Sequence, residues 1–125
     1  MTYKVLIVDD SKLARMSVCK VLSTLQPDWK RIEAANAAEA LQQTRELSPE
    51  IVLVDFNMPG MDGVTLAAEL RVLDPAIRVA VVSANRQVEV IKRTEAAGAT
   101  FLAKPVTESA LADFLHAAVG RKAAP

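Results

Sequence analysis

The sequence predicts an α/β domain in which five parallel strands alternate with five helices that cover both faces of one sheet. Three observations lead there. Short apolar runs rich in Val, Ile and Leu alternate along the chain with segments whose apolar residues return at helical spacing. The run Ile51-Val52-Leu53-Val54 is unbroken, as suits a strand buried on both faces. The connections are short, and no linker, internal repeat or low-complexity stretch interrupts them. Alternation of this kind implies a parallel sheet with right-handed crossovers.

The elements follow in order. Lys4 to Val8 is the first strand, closed by Asp9-Asp10. Ser11 caps a helix that sets Ala14, Val18, Val21, Leu22 and Leu25 at helical spacing and stops before Pro27. Arg31 to Ala35 is a short, weak strand. Asn36 and Glu39 have the spacing of a capping box, with Asn in place of Ser or Thr. The helix they open carries Ala37, Ala40, Leu41 and Thr44 on one side and ends near Pro49. Ile51 to Asp55 is the central strand, followed at once by a loop with Pro59, Gly60 and Gly63. The third helix turns Leu66, Ala67 and Leu70 inward and stops at Asp74-Pro75. Arg78 to Val82 is strand four, ending at Ser83. The fourth helix spans about Arg86 to Ala97, with Gly98 as its C-terminal cap; its Val88, Val90, Ile91 and Ala97 make no single clean stripe. Thr100 to Ala103 is the last strand, before Lys104-Pro105. Thr107 caps a final helix with Leu111, Phe114, Leu115 and Ala118 inward, and the tail after Gly120 is expected to fray.

The 125 residues are enough for one domain spanning 1–125, with a core over about 3–119. Fifteen basic and fifteen acidic residues cancel, so the overall basic excess of a nucleic-acid binder is missing. One cysteine permits no internal disulfide, which fits a reducing compartment. The apolar run Val5 to Val8 is too short for a signal peptide and ends in two acids. No stretch approaches the roughly 18 apolar residues of a membrane span. A cytoplasmic protein without a membrane partner is expected.

In open parallel sheets, ligands bind at the carboxyl ends of the strands. Asp55 stands at such an end, where it either caps a turn or faces a ligand site; the other strands decide between the two. Strand one ends in Asp9 and Asp10, strand four in Ser83 and Ala84, and strand five in Lys104. Singly, each has an ordinary explanation as a cap or a solvated loop residue. Together they aim three carboxylates, a hydroxyl and an ammonium at one mouth. Three converging carboxylates repel one another unless a cation intervenes. Mg²⁺ prefers oxygen donors, one or two of them carboxylates, together with water and phosphate. Three carboxylates, one Mg²⁺ and one lysine are formally neutral, and such a site suits phosphoryl transfer onto a carboxylate, with Asp55 the nucleophile.

These motifs resemble those of the receiver domains of two-component response regulators, in their chemotaxis-type single-domain form. The residues that carry the resemblance are Val8-Asp9-Asp10-Ser11, Asp55 with Met58-Pro59-Gly60-Met61-Asp62-Gly63, Ser83-Ala84 and Lys104-Pro105, and it covers Tyr3 to about Val119. It implies a (βα)5 flavodoxin-like fold with strand order 2-1-3-4-5; that order comes with the resemblance, not from the alternation. It implies a signalling domain, not an enzyme in its own right: Asp55 accepts phosphate from a sensor histidine kinase or phosphotransfer protein. Asp9, Asp10, Asp55 and the backbone carbonyl of Asn57 hold Mg²⁺, for which Mn²⁺ can substitute, with Asp10 the preferred direct ligand over Asp9. Ser83, the backbone of Ala84 and Lys104 contact the phosphoryl group, and Lys104-Pro105 is cis.

On this reading Ser83 moves toward the phosphoryl oxygens and Phe101 turns into the space vacated. Helix four, strand five and helix five form the output face, toward an unidentified downstream protein or a second, phosphorylated copy. Asn57 and Asn85, each two residues after a site residue, tune a slow hydrolysis that has no dedicated base. Cys19 reads as packing, His116 as surface or interface, Pro27 and Trp29 as an anchored turn, and Lys92-Arg93 as a solvated face or a contact for an acidic partner. Three competing readings are a nucleotide or flavin domain, an aspartyl-phosphate phosphatase and a pseudo-receiver. The first lacks a Gly-rich phosphate loop after strand one. The second lacks its acid, since the motif is Asp55-Phe56-Asn57. The third is disfavoured by the complete set of site residues. Whether the chain stands alone or is part of a longer regulator is open.

Overall fold

A computed structural model describes residues 2–123, with side chains as far as Gly120. The elements run β1 (Lys4–Val8), α1 (Lys12–Leu25), β2 (Lys30–Ala34), α2 (Ala37–Leu47), β3 (Ile51–Asp55), α3 (Gly63–Leu73), β4 (Arg78–Ser83), α4 (Val88–Ala96), β5 (Thr100–Ala103) and α5 (Glu108–Ala123). All five strands pair in parallel, in the order β2-β1-β3-β4-β5, the flavodoxin-like arrangement.

The strands are apolar on both faces because both faces are covered. Successive strand residues point to opposite sides. Leu6, Val8, Val52, Val54, Val79 and Val81 pack with Ala40 of α2 and Leu66, Ala67 and Leu70 of α3. Val5, Ile7, Ile51, Leu53, Ala80 and Val82 pack with Leu22 of α1 and Leu111, Phe114, Leu115 and Ala118 of α5. Asp55 shares the parity of Leu53, so its carboxylate leaves the sheet on the α1/α5 side.

The caps form as the residues suggest. Ser11 Oγ accepts from Ala14 N at 3.2 Å, and Thr107 Oγ1 from Ala110 N at 3.1 Å. Asn36 Oδ1 accepts from Glu39 N at 2.8 Å, while Glu39 reaches back to Ala35 N, one residue before the usual capping-box partner. Gly98, at φ 76°, ends α4 with its N–H on Glu95 O and the Ala99 N–H on Thr94 O, a Schellman motif.

Several boundaries differ from expectation, β2 ending at Ala34 and α4 at Ala96, each one residue early. β2 starts at Lys30, drawn into the ladder by a bond from its N–H to Tyr3 O at 3.0 Å; only Ile32 and Ala34 of this outer strand are buried, hence its weak signal. α4 starts at Val88, not Arg86. Ser83 Oγ accepts from Asn85 N and Asn85 Oδ1 from Gln87 N, both at 2.9 Å, and these two turns hold the segment out of the helix. α5 continues past Gly120 to Ala123, since one glycine weakens a helix by about 1 kcal/mol without ending it. Residues 124 and 125 of the expected fraying tail lie outside the described residues. Among the described residues no helix is long and apolar enough to cross a membrane.

Candidate functional site

The parallel ladder brings the carboxyl ends of β1, β3, β4 and β5 side by side, and the predicted residues meet there. Asp9 is 6% exposed and Asp55 7%, whereas Asp10 faces solvent. One oxygen from each of the three carboxylates lies within 4.8 Å of the others. Lys104 arrives from the end of β5, its Nζ 2.8 Å from Asp55 Oδ1 and 3.7 Å from Asp9 Oδ2. The Lys104-Pro105 peptide is cis.

The loops hold this cluster in shape. Asp9 Oδ1 accepts from Ser11 N at 2.9 Å, so the carboxylate that could have capped α1 braces the turn before it while Ser11 caps. Gly63 lets the start of α3 press against the end of β3. A Cβ there would lie 2.5 Å from Asp55 O, closer than any side chain tolerates. Below the carboxylates a cavity of about 170 Å³ opens between α1 and the β5–α5 loop, walled by Val18, Val21, Leu53, Val82 and Val106.

Those apolar walls explain the electrostatics. Burial pushes the Asp9 carboxyl above its usual range; the Ser11 N–H opposes this, the charge of Asp55 adds to it, and the Lys104 ammonium offsets part. Burial alone would lower the Lys104 pKa, but the hydrogen bond and charge of Asp55, then Asp9, outweigh it and hold the ammonium protonated. The cluster is therefore a set of hard oxygen donors carrying more negative charge than one lysine neutralises. That donor set fits a hard divalent cation.

The remaining predicted residues take varied places. Ser83 is buried, with its Oγ accepting from Asn85 N. Ala84 and Asn57 are exposed on the rim. Asn85 spends its side-chain oxygen on Gln87 N. Phe101 is half-buried on β5, paired in register with Val81. Cys19 is half-buried, and burial raises its thiol pKa. His116 is exposed, and Trp29 packs edge-on to Tyr3 with ring centroids 4.9 Å apart.

Two features escaped sequence reasoning. Arg15 donates to Asp9 O at 2.6 Å and to Glu33 Oε1 at 2.9 Å, tying α1 to the ends of β1 and β2. Arg93, taken for a solvated residue, pairs with Asp62 Oδ2 at 2.9 Å. Both join segments far apart in sequence, so no local spacing marks them.

Comparison with known proteins agrees with this geometry. The family model described as "Response regulator receiver domain" matches residues 5–116. Sporulation initiation phosphotransferase F of Bacillus subtilis is 34% identical over 106 residues, covering 84% of this chain and 84% of that protein. Chemotaxis protein CheY of Bacillus subtilis is 35% identical over 107 residues, covering 84% of this chain and 88% of that protein. The solved structure of the Vibrio cholerae chemotaxis protein CheY4 superposes with a TM-score of 0.84 at 26% identity, over 94% of this chain and 99% of that one. With the family match over most of the chain and the acidic cluster at the strand ends where such a domain carries it, the chain belongs to the response regulator receiver domain family.

Proposed function

We propose that this receiver accepts a phosphoryl group on Asp55 from a histidine kinase or phosphotransfer protein, with Mg²⁺ bound by Asp9, Asp10, Asp55 and the carbonyl of Asn57. The observation that carries this is the Lys104 ammonium 2.8 Å from Asp55 Oδ1, beside two further carboxylates. The similarity to a protein named as a phosphotransferase supports phosphoryl handling.

Asp55 Oδ2 attacks the phosphorus of a phosphohistidine while Oδ1 stays on Lys104. The P–N bond breaks, its electron pair remains on the imidazole, and an acyl phosphate forms. When bound, Mg²⁺ supplies positive charge against the phosphoryl oxygens. Lys104 neutralises a further oxygen, and Ser83 and the Ala84 N–H donate to others. Ser83 Oγ already accepts from Asn85 N at 2.9 Å, so its donation to a phosphoryl oxygen couples that group to the β4–α4 loop. The face of α4, β5 and α5, with Phe101 in it, then changes its preference for a downstream protein or a second copy. Water returns the aspartate, with Asn57 and Asn85 setting the rate. Signalling by contact, in the cytoplasm, needs no further catalytic function.

The test is acetyl-phosphate labelling with and without Mg²⁺, read by intact mass, on the natural sequence and on Asp55→Asn. A Mg²⁺-dependent gain of one phosphoryl group that is absent in the variant is expected. No gain with protein folded and Mg²⁺ bound would favour a binding module that works unmodified.

A further inference from the structure

α4 is lightly held. Val90 and Thr94 are its buried residues, and its N-cap, Gln87, contributes no side-chain hydrogen bond. One contact that ties it to the β3–α3 loop is made by Arg93. Its guanidinium donates to Asp62 Oδ2 at 2.9 Å and sits 6.0 Å from the centre of the Phe56 ring. Both partners belong to the site's own loop. Phe56 directly follows Asp55; its N–H bonds Val82 O and its carbonyl accepts from Gly63 N, each at 2.9 Å. Asp62 caps α3, its Oδ1 accepting from Thr65 N at 2.8 Å. Partial burial pushes the Asp62 carboxyl up, but the Thr65 N–H and Arg93 together outweigh it and hold the carboxyl below its usual range. Arg93 therefore grips both ends of the segment that carries Asn57.

We propose that Arg93 is a positioning residue, a tether from α4 to the phosphoacceptor loop that sets how readily α4 responds to phosphorylation. This rests on the receiver reading of Asp55. An ion pair at 2.9 Å constrains where α4 can sit against the loop, so the tether favours the arrangement of α4 seen here. Its side chains are 48% and 34% exposed, so solvent screens the pair and the bias is modest. An exposed ion pair and a cation–π contact together shift an equilibrium by about three- to tenfold. Because coupling is reciprocal, releasing the tether strengthens binding of a phosphoryl mimic by the same factor.

The experiment titrates beryllofluoride with Mg²⁺ into the full chain, followed by amide NMR. The proteins are the natural sequence, Arg93→Ala, Asp62→Asn, and the double variant. Asn at 62 keeps the capping oxygen and removes the charge. Arg93→Ala, which loses both contacts, should bind about three- to tenfold tighter, Asp62→Asn, which loses the ion pair alone, up to about fivefold tighter, and the double variant no tighter than Arg93→Ala. A merely structural role would give independent effects. Variants with unchanged affinity, or with effects that add, would overturn the tether alone. Natural sequence that binds no beryllofluoride would overturn the Asp55 reading and the tether with it.

Discussion

Replacing Asp9 by Asn should stabilise the metal-free protein and reduce what Mg²⁺ contributes. Asp9 is nearly isosteric with Asn, and an Asn oxygen can still accept from Ser11 N. What changes is one negative charge. With their nearest oxygens within 4.8 Å, the repulsion from Asp55 is at least about 3.5 kcal/mol for an effective dielectric near 20. Asp10 faces water and adds only about 1 kcal/mol. Lys104, 3.7 Å away, returns about 4.5 kcal/mol before discounting for its own exposure. The pairwise terms thus nearly cancel, and burial of the carboxylate decides the sign. Desolvating an ion costs several kcal/mol in real proteins, of which the Ser11 N–H recovers part. A gain of about 1–2 kcal/mol follows for Asp9→Asn, or roughly 4–8 °C in Tm for a chain of this length. Thermal unfolding in EDTA and in Mg²⁺ measures it. In EDTA the variant should melt higher; in Mg²⁺ the natural protein should rise further than the variant, because binding to the folded state alone stabilises it. The pH dependence has a definite sign. Asp9 has a raised folded pKa, so its cost is fully present above that value and fades as pH falls through it toward 3.8. The advantage of the variant should shrink over that interval. A variant that melts at or below the natural protein in EDTA at neutral pH would refute the reasoning.

Gly63→Ala would place a methyl 2.5 Å from Asp55 O, and should cost about 1–3 kcal/mol in urea unfolding while displacing the site; a loss under about 0.5 kcal/mol would show that the backbone yields freely. Asn36→Ala removes the α2 cap and should cost about 1 kcal/mol by the same assay. Lys104→Met should slow acetyl-phosphate labelling at least tenfold, since a 1.4 kcal/mol loss of charge stabilisation already does so; labelling at the natural rate would remove Lys104 from the transfer. Substitutions of Asn57 or Asn85 should change the decay of the phosphorylated form without abolishing labelling, and unchanged decay in both would exclude them from hydrolysis.

The order of elements was legible because local physics writes it down. β3 is apolar at four consecutive residues because helices cover both faces, and Ser11, Asn36, Gly98 and Thr107 announce helix ends through bonds made within a few residues. The site residues Asp9, Asp10, Asp55, Ser83 and Lys104 were legible for a related reason: parallel strands place their carboxyl ends together, so residues at those ends need no further information to be neighbours. Where local signals were weak the boundaries slipped. β2 has only two buried residues, and the start of α4 depends on a Ser83 hydroxyl and an Asn85 amide that compete with the helix for backbone.

Only the tertiary structure decided the electrostatics and the couplings. No spacing reveals that Lys104 lies closer to Asp55 than to Asp9, or that apolar walls from α1 and the β5–α5 loop raise the Asp9 pKa. Nor does it reveal that Arg15 and Arg93 bond segments 18 and 31 residues away. Periodicity and capping report what a residue does with its near neighbours along the chain. Charge interactions depend on distance and burial, which exist only once the sheet has brought its strand ends together.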